Sequence, residues 1–540
     1  MLHALPHLVN QFIAKVSAQV LTEIGFQKPL RWRSPLIGFL VAVMCWMGMP
    51  QAIALAQDDL STPGSSIQPY IDRVMDRVTE FTLENGMKFI VLERHQAPVI
   101  SFMTYVDVGS AEEAPGKTGA AHFLEHLAFK GTQRIGTTNY AAEAPLLEQM
   151  DVLYEQLRAA EAAGDTETAA QLTEEFQAVR AEAASYVEQN EYGQIVEQYG
   201  GVGLNATTSA DATRYFYSFP SNKLELWMSL ESERFLEPVF REFYEEQDVI
   251  LEERRMRTDN SPIGKMIEEF LQTALPDYPY GRPIIGYAED IRNLTRQDIQ
   301  EFFETYYTPS HMIMAIVGDV DPDEAKRLAE TYFGRFNPAE EAPELEVTPP
   351  TQTATREIVL ELPSQPWYLE GYQRPGISDP DNAIYDIIAT LLTGGRTARL
   401  YQALVEQQQL ALNVNVSTAF PGDRFPNILL LYALTAPGHT VEEVAAAIEM
   451  ELTKLQTEPV PPAELDRVKT QARAGLLRTL SSNQGMASLL PEYEAKTGDW
   501  RNLFEQLKVI DAVTPEEVQQ VAQQLFRPEN KTIGKLLSAE

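Results

Sequence analysis

Apolar and polar positions alternate along "VTEFTL" (78–83) and "MKFIVLE" (87–93), the period of strands with one face on a core. Asn85-Gly86 between them is a tight-turn dipeptide, so the pair predicts a β-hairpin. "VISFMTYVDVG" (99–109) adds a further strand before the period lengthens to that of a helix in "AHFLEHLAFKGT" (121–132). From 141 to 199 the chain is rich in Ala, Glu, Gln and Leu. Leu146, Met150, Leu153 and Leu157 share one helical stripe, and Leu172, Phe176, Val179 and Ala183 share another beyond Gly164-Asp165. That pattern predicts an antiparallel helical hairpin inserted into the first domain.

The pattern also repeats. "TRQDIQEFFETYYTPSH" from Thr295 and "TPEEVQQVAQQLFRPEN" from Thr514 align without a gap at an offset of 219, each an N-capped amphipathic helix stopped by proline. Between them "NPAEEAPELEVTPPTQTAT" is rich in Pro and Glu, the composition of an extended linker. "REIVLELP" and "WYLEGYQRP" then restart the strand plan. At 540 residues the chain is too long for one core. The expectation is an α+β protein of two homologous domains, each a mostly antiparallel sheet packed with helices. They span 75–336, with the helical insertion at 141–199, and 354–540, with a linker at 337–353.

The N-terminus changes the picture of where such a protein works. Arg31 and Arg33 precede the apolar run "PLIGFLVAVMCWMGMP", and small residues stand at Ala54 and Ala56. This reads as a signal peptide over 1–56 with a linker at 57–74, hence export to the periplasm or another extracytoplasmic lumen. An uncleaved leader would leave a membrane anchor instead. The only cysteine, Cys45, lies inside the run, so the mature chain has no disulfide framework and no thiolate metal ligand. A formal net charge of −35 disfavours nucleic acid and anionic membrane surfaces and attracts basic ligands.

Candidate chemistry begins with His122, Glu125 and His126, two of only seven histidines in the chain. Steps of three and four residues bring all three side chains to one helix face. A di-iron carboxylate helix would need a histidine at 128, where Ala128 stands. Any third ligand must be an oxygen or an imidazole. In "EEQDVILEERRMRTDN" Glu246 and Glu253 are seven apart on a stripe that also carries Val249, Ile250 and Met256. A carboxylate on an apolar stripe must find a cation or a metal, which favours Glu253 or Glu246 over the other acids of that helix.

Taken together, "HFLEH", "GLNATTSADATRYFYSFP", "EEQDVILEERRMRTDN" and "YPYGRPIIGYAEDI" resemble the pitrilysin/insulinase family of inverted-motif zinc metallopeptidases, in its processing-peptidase-like branch with two domains per chain. The resemblance implies one zinc ion per chain held by His122, His126 and Glu253. It makes Glu125 the general base and places Glu246 at an auxiliary acidic position. It also implies that "GLNATTS" is an exposed edge strand, where Asn205 and Ala206 pair with an extended substrate through the main chain. His126 and Glu253 are 127 residues apart, more than is usual in the family, and the inserted hairpin accounts for the excess.

One departure stands out in "GGRTARLYQALVEQQQLALNVNV". Val405 and Leu412 occupy the positions of the family's substrate-binding arginine and tyrosine, and neither can donate a hydrogen bond. The expectation is therefore a zinc endopeptidase subunit that acts on extended or unfolded peptides outside the cytoplasm, with a related inactive chain supplying the arginine/tyrosine pair. The alternatives are a homodimeric peptidase and a non-catalytic assembly subunit.

Overall fold

Among the described residues eleven strands form two sheets with one shared plan. The computed structural model describes residues 68–339 and 342–539. The expected signal segment, and the 57–74 linker as far as residue 67, lie outside the described residues. Where the rest of that linker was expected the chain is helical, over Gln68–Met75, with Gln68 Nε2 donating to Asp72 Oδ1 one turn on at 2.7 Å. The described residues of 337–353 contain no helix or strand. No described helix is long and apolar enough to cross a membrane.

From Val78 onward the chain forms a single unit. Its first sheet comprises β1 (Val78–Thr82), β2 (Lys88–Glu93), β3 (Val99–Val106), β4 (Val202–Thr208), β5 (Thr213–Pro220) and β6 (Met312–Gly318), ordered β1-β2-β6-β3-β5-β4. The second comprises β7 (Arg356–Leu362), β8 (Trp367–Arg374), β9 (Ala411–Phe420), β10 (Asn427–Thr435) and β11 (Lys531–Ser538), ordered β7-β11-β8-β10-β9. With β1 set aside the two orders coincide, and in each the last strand runs parallel to the first and antiparallel to its other neighbour. The repeat seen in sequence lies just before those last strands. Thr295 and Thr514 cap their helices in reciprocal capping boxes with Asp298 and Glu517, and short turns beginning at Pro309 and Pro528 lead into β6 and β11.

The first hairpin forms as expected, with Val78 opposite Leu92. Only Gly86 of its turn takes a positive φ, 97°, while Leu83 N–H donates to Met87 O and Asn85 Nδ2 donates to Phe333 O. The Asn-Gly pair thus closes a loop of Glu84, Asn85 and Gly86 and ties it to the rest of the sheet's core.

Four helices frame the first sheet's chemistry: α1 (Ala120–Leu127), α2 (Tyr140–Ala163), α3 (Thr166–Ala184) and α4 (Phe243–Arg254). α2 and α3 are the hairpin, capped by Asn139 and Asp165 and turned by Gly164 at φ 73°. Their buried faces are Leu147, Met150, Leu153 and Leu157 on one helix and Phe176, Val179 and Ala183 on the other. Leu147 takes the place expected of Leu146, which is only partly buried. A further short helix, Glu191–Gln198, follows before β4.

The two halves exchange helices. α5 (Pro262–Ala274), from the first half, lies on β7 and β11 of the second sheet; α6 (Asn483–Thr497), from the second half, lies on β3 and β6 of the first. Phe270 of α5 approaches the second sheet through two glycines: a Cβ at Gly371 or Gly534 would come within 2.8 or 2.9 Å of its ring. Met266, Phe270 and Leu271 there join Leu369, Ile428 and Leu536 in one apolar cluster. Each sheet therefore has a face buried by the other half, which is why residues from Val78 onward form one unit.

Candidate metal and catalytic site

α1 begins at a forced point. Gly119, its N-cap, sits at φ 93°, and a Cβ there would lie 2.7 Å from Ile285 O. The N–H groups of Gly119 and Ala121 donate to the two carboxyl oxygens of buried Glu113, each at 2.9 Å, satisfying donors that the helix start leaves open. Burial pushes the Glu113 carboxyl up to about 8, against those two bonds, which favour its charged form. The "YPYGRPIIGYAEDI" segment clamps this start. Arg282 Nη1 donates to Glu113 O at 2.7 Å, Thr118 Oγ1 donates to Asp290 Oδ2 at 2.6 Å, and Tyr287 N–H donates to Thr118 Oγ1 at 2.9 Å. Phe123, Leu124 and Leu127 bury the inner face of α1, and Phe123 stacks on Phe243 of α4 with ring centroids 4.5 Å apart. The two helices that carry the candidate ligands are thus packed directly together.

On that framework His122, His126 and Glu253 converge, with one ligating atom of each inside a 4.8 Å group; no other such group occurs among the described residues. Glu253 Oε2 lies 3.8 Å from His122 Nε2 and 3.6 Å from His126 Nε2. Three ligands at about 2.1 Å from one tetrahedral ion stand about 3.4 Å apart, so the spacing fits a single small ion. Two imidazoles and one carboxylate are also the donor set of a catalytic zinc site with an open position.

The surroundings orient each ligand. His126 Nδ1 lies 2.8 Å from Glu246 Oε2, and Glu246 Oε1 lies 2.6 Å from Lys130 Nζ. Glu253 Oε1 pairs with Arg257 Nη1 at 2.6 Å, leaving Oε2 turned to the histidines. Burial pushes the His122 imidazole down to about 4, helped by the His126 charge, so it is neutral and ready to coordinate. For His126 burial acts the same way, but the hydrogen bond to Glu246, the approach of Glu253 and the charges of both carboxylates outweigh it together and push it up to about 9. Burial would raise both carboxyls of α4. His126 and Lys130 together outweigh it at Glu246 and hold that carboxyl low, and His126, His122 and Arg257 together outweigh it at Glu253 and hold that one down to about 2. Glu125, between the histidines, is raised by burial, and Thr208 Oγ1 of β4 donates to its Oε2.

The apolar stripe expected of α4 needs correction. Val249 and Met256 are 48% and 61% exposed, and only Ile250 of the three is buried. The helix buries Phe243, Tyr244, Gln247, Ile250 and Arg254. Glu246 and Glu253 flank Ile250 on the side facing α1. Past Arg254 the helix widens into a π-turn, Arg255–Asp259, which carries Arg257 to Glu253.

β4 is the edge of the first sheet and pairs only with β5, so it is not an interior strand. Asn205 is exposed on it, Ala206 is buried, and Asn205 Oδ1 accepts the Ala206 N–H at 2.9 Å. In the second half Val405 is partly buried and Leu412 is 54% exposed on the matching edge strand, β9. That half retains a trace of the same arrangement: Thr418 of β9 bonds the partly buried Asp386, as Thr208 of β4 bonds Glu125. Ala383 and Ile387 stand where histidines would be needed around Asp386, so the second half has no metal ligands on that helix. Sequence reasoning missed Glu113, Lys130 and Arg257: Lys130 acts across the fold on Glu246, Glu113 reaches back from the loop before α1, and Arg257 stands four residues from Glu253, a spacing that could have found it. Thr208 lay inside a quoted motif, but nothing in its spacing marked it as a partner of Glu125.

Residues 88–148 and 179–287 match the Insulinase (Peptidase family M16) model, and 293–472 match that of the Peptidase M16 inactive domain. The gap, 149–178, comprises the outer parts of α2 and α3. The zinc protease PqqE of Helicobacter pylori is 29% identical over 84% of this chain and 90% of its own length. An uncharacterized zinc protease of Mycobacterium leprae is 28% identical over 85% of this chain and 90% of its own. The crystal structure of a protease from Helicobacter pylori superposes with a TM-score of 0.72 at 27% identity, covering 85% of this chain and 99% of that one. The periplasmic protease PqqL from Escherichia coli shares the fold, with a TM-score of 0.65 at 16% identity over 86% of this chain and 48% of that one. With the family's models matched in order along both halves, this chain belongs to the insulinase family of peptidases, family M16.

Proposed function

We propose that this chain is the zinc-bearing subunit of an endopeptidase that cleaves extended or unfolded peptides outside the cytoplasm. The observation that carries the reading is the convergence of His122, His126 and Glu253 with Glu125 on the same helix face. When bound there, zinc supplies Lewis acidity and acidifies water towards neutral pH. Glu125, its carboxyl raised by burial, takes a proton from the water that attacks the scissile carbonyl and returns it to the leaving amine. Thr208 holds that carboxylate from the edge strand, so the base and the substrate strand are placed by the same element. An extended peptide adds to β4 as a further strand, its main chain bonding at Asn205 and Ala206, where the Asn205 side chain now covers the Ala206 N–H.

Neither Val405 nor Leu412 can donate to a substrate carbonyl. On this reading a related chain supplies the arginine and tyrosine that complete the site. Export rests on the leader motif before Gln57.

The test is turnover of a mixed library of unstructured peptides by the zinc-loaded chain from Gln57 onward, alone and mixed with its related chain. Chelator-sensitive cleavage that needs the mixture supports the two-chain site. Equal cleavage by the isolated chain rejects the partner requirement and favours a homodimer.

A further inference from the structure

The hairpin α2–α3 meets the rest of the first half at a telling place, the stretch of α4 on either side of Glu246. Tyr244 Oη donates to Asp151 Oδ1 at 3.0 Å, and Arg296 holds the other oxygen of Asp151 with Nε and Nη2 at 2.9 and 2.6 Å. The Tyr244 ring lies against Tyr154 at 4.6 Å and against the edge of Phe176 at 4.9 Å. Arg180 Nε donates to Glu245 Oε1 at 2.6 Å, and Tyr154 Oη to Gln247 Oε1 at 3.2 Å. Gln247 in turn donates to Ile291 O at 2.8 Å. Residues 244, 245 and 247 are all gripped, and between them Glu246 projects the other way, onto His126. Asp151, Tyr154 and Phe176 all fall in 149–178, the segment that the family's model leaves unmatched.

We infer that the inserted hairpin is a clasp on the ligand-bearing helix: Asp151, Tyr154 and Phe176 are positioning residues that fix α4 so that Glu246 and Glu253 meet the histidines in register for a metal ion. An α-helix gripped on three of four consecutive residues cannot roll about its axis without breaking those contacts. A roll of a single residue's worth, about 100°, would swing both glutamates out of reach. The chain continues from the clasp through Tyr244 to Phe243, 5.1 Å away, and on to Phe123 of α1, so both ligand helices share the support. Outer groups of this kind alter metal affinity by about 10–100-fold when lost.

The inference rests on the metal-site reading above, and its test separates the two. Zinc affinity of the purified chain is measured by competition with a chromophoric chelator, alongside the melting temperature of the metal-free chain. The Tyr154→Leu/Phe176→Leu double variant is expected to weaken zinc binding about tenfold or more, while Tyr154→Phe, which keeps the ring, stays within about threefold of the parent. Tyr244→Phe, which loses only the bond to Asp151, provides a milder probe should the double variant fail to fold, and is expected to weaken binding by about threefold. Variants that melt earlier yet bind zinc as tightly as the parent would show a merely structural hairpin and overturn the clasp. A parent chain that binds no zinc would reject the metal site itself, and the clasp with it.

Discussion

His122 and His126 stand one helical turn apart and yet are prepared differently for a metal. His122 is pushed down to about 4 and offers a free lone pair at neutral pH, while His126 is pushed up to about 9 and holds a proton between Glu246 and Glu253. Metal binding must displace that one proton. Zinc affinity should therefore rise with pH up to about 9, and calorimetry at pH 7 in buffers of different ionisation enthalpy should show about one proton released per ion. Release of none, or of two, would contradict the assignment. His122, Glu125 and His126 were legible in sequence because three- and four-residue steps alone set a common face. Glu253 was narrowed to two acids by burial logic whose supporting residues were partly wrong: Val249 and Met256 face solvent. Glu253 finds one cation, Arg257, a turn further along its own helix, but the histidines that both carboxylates meet lie on α1, and no pattern within α4 encodes that.

At the scale of elements, α1 depends on what its first turn donates to. Glu113 accepts two of the open N–H groups, and its replacement by Ala should cost about 1–3 kcal/mol in denaturant unfolding, because both donors stay buried without a partner. The pH dependence has a definite sign. A carboxyl raised from 4.5 to about 8 on folding stabilises the fold fully below 4.5, and that contribution is lost as pH rises through about 8. The parent should thus lose stability across that window, and Glu113→Gln should lose less, as thermal melts at a series of pH values would register. Strand and helix positions were mostly visible from their periods, including the hairpin, whose stripes are right at Met150, Leu153, Leu157, Phe176, Val179 and Ala183 and miss at Leu146 and Leu172, which are only partly buried. What α2 and α3 press against could not be read, since the stripes specify an apolar partner without saying which. The helix at Gln68–Met75, in a stretch taken for linker, is short enough that its period carries little signal.

Across the whole molecule the repeat in sequence becomes a repeat in topology, and the exchange of α5 and α6 binds the copies together. The gapless alignment at offset 219 foretold the duplication, because a capped helix stopped by proline is a local signal repeated intact. It did not foretell the exchange, which depends on glycines at 371 and 534 opening the second sheet to Phe270. Phe270→Ala should cost about 3–5 kcal/mol. It should shift a single unfolding transition seen alike by probes near Trp227 in the first half and Trp367 in the second. Two separate transitions would mean that the halves fold independently.

In the proposed site one zinc ion sits on His122, His126 and Glu253 while Glu125 moves the proton. The most direct measurement is zinc content and peptide turnover of Glu125→Gln beside the parent, both in the presence of whatever chain is needed for activity. One zinc per chain is expected in both proteins, with turnover lost by at least about a hundredfold in the variant. Zinc retained with turnover intact would contradict Glu125 as the base, and a parent without zinc would contradict the site.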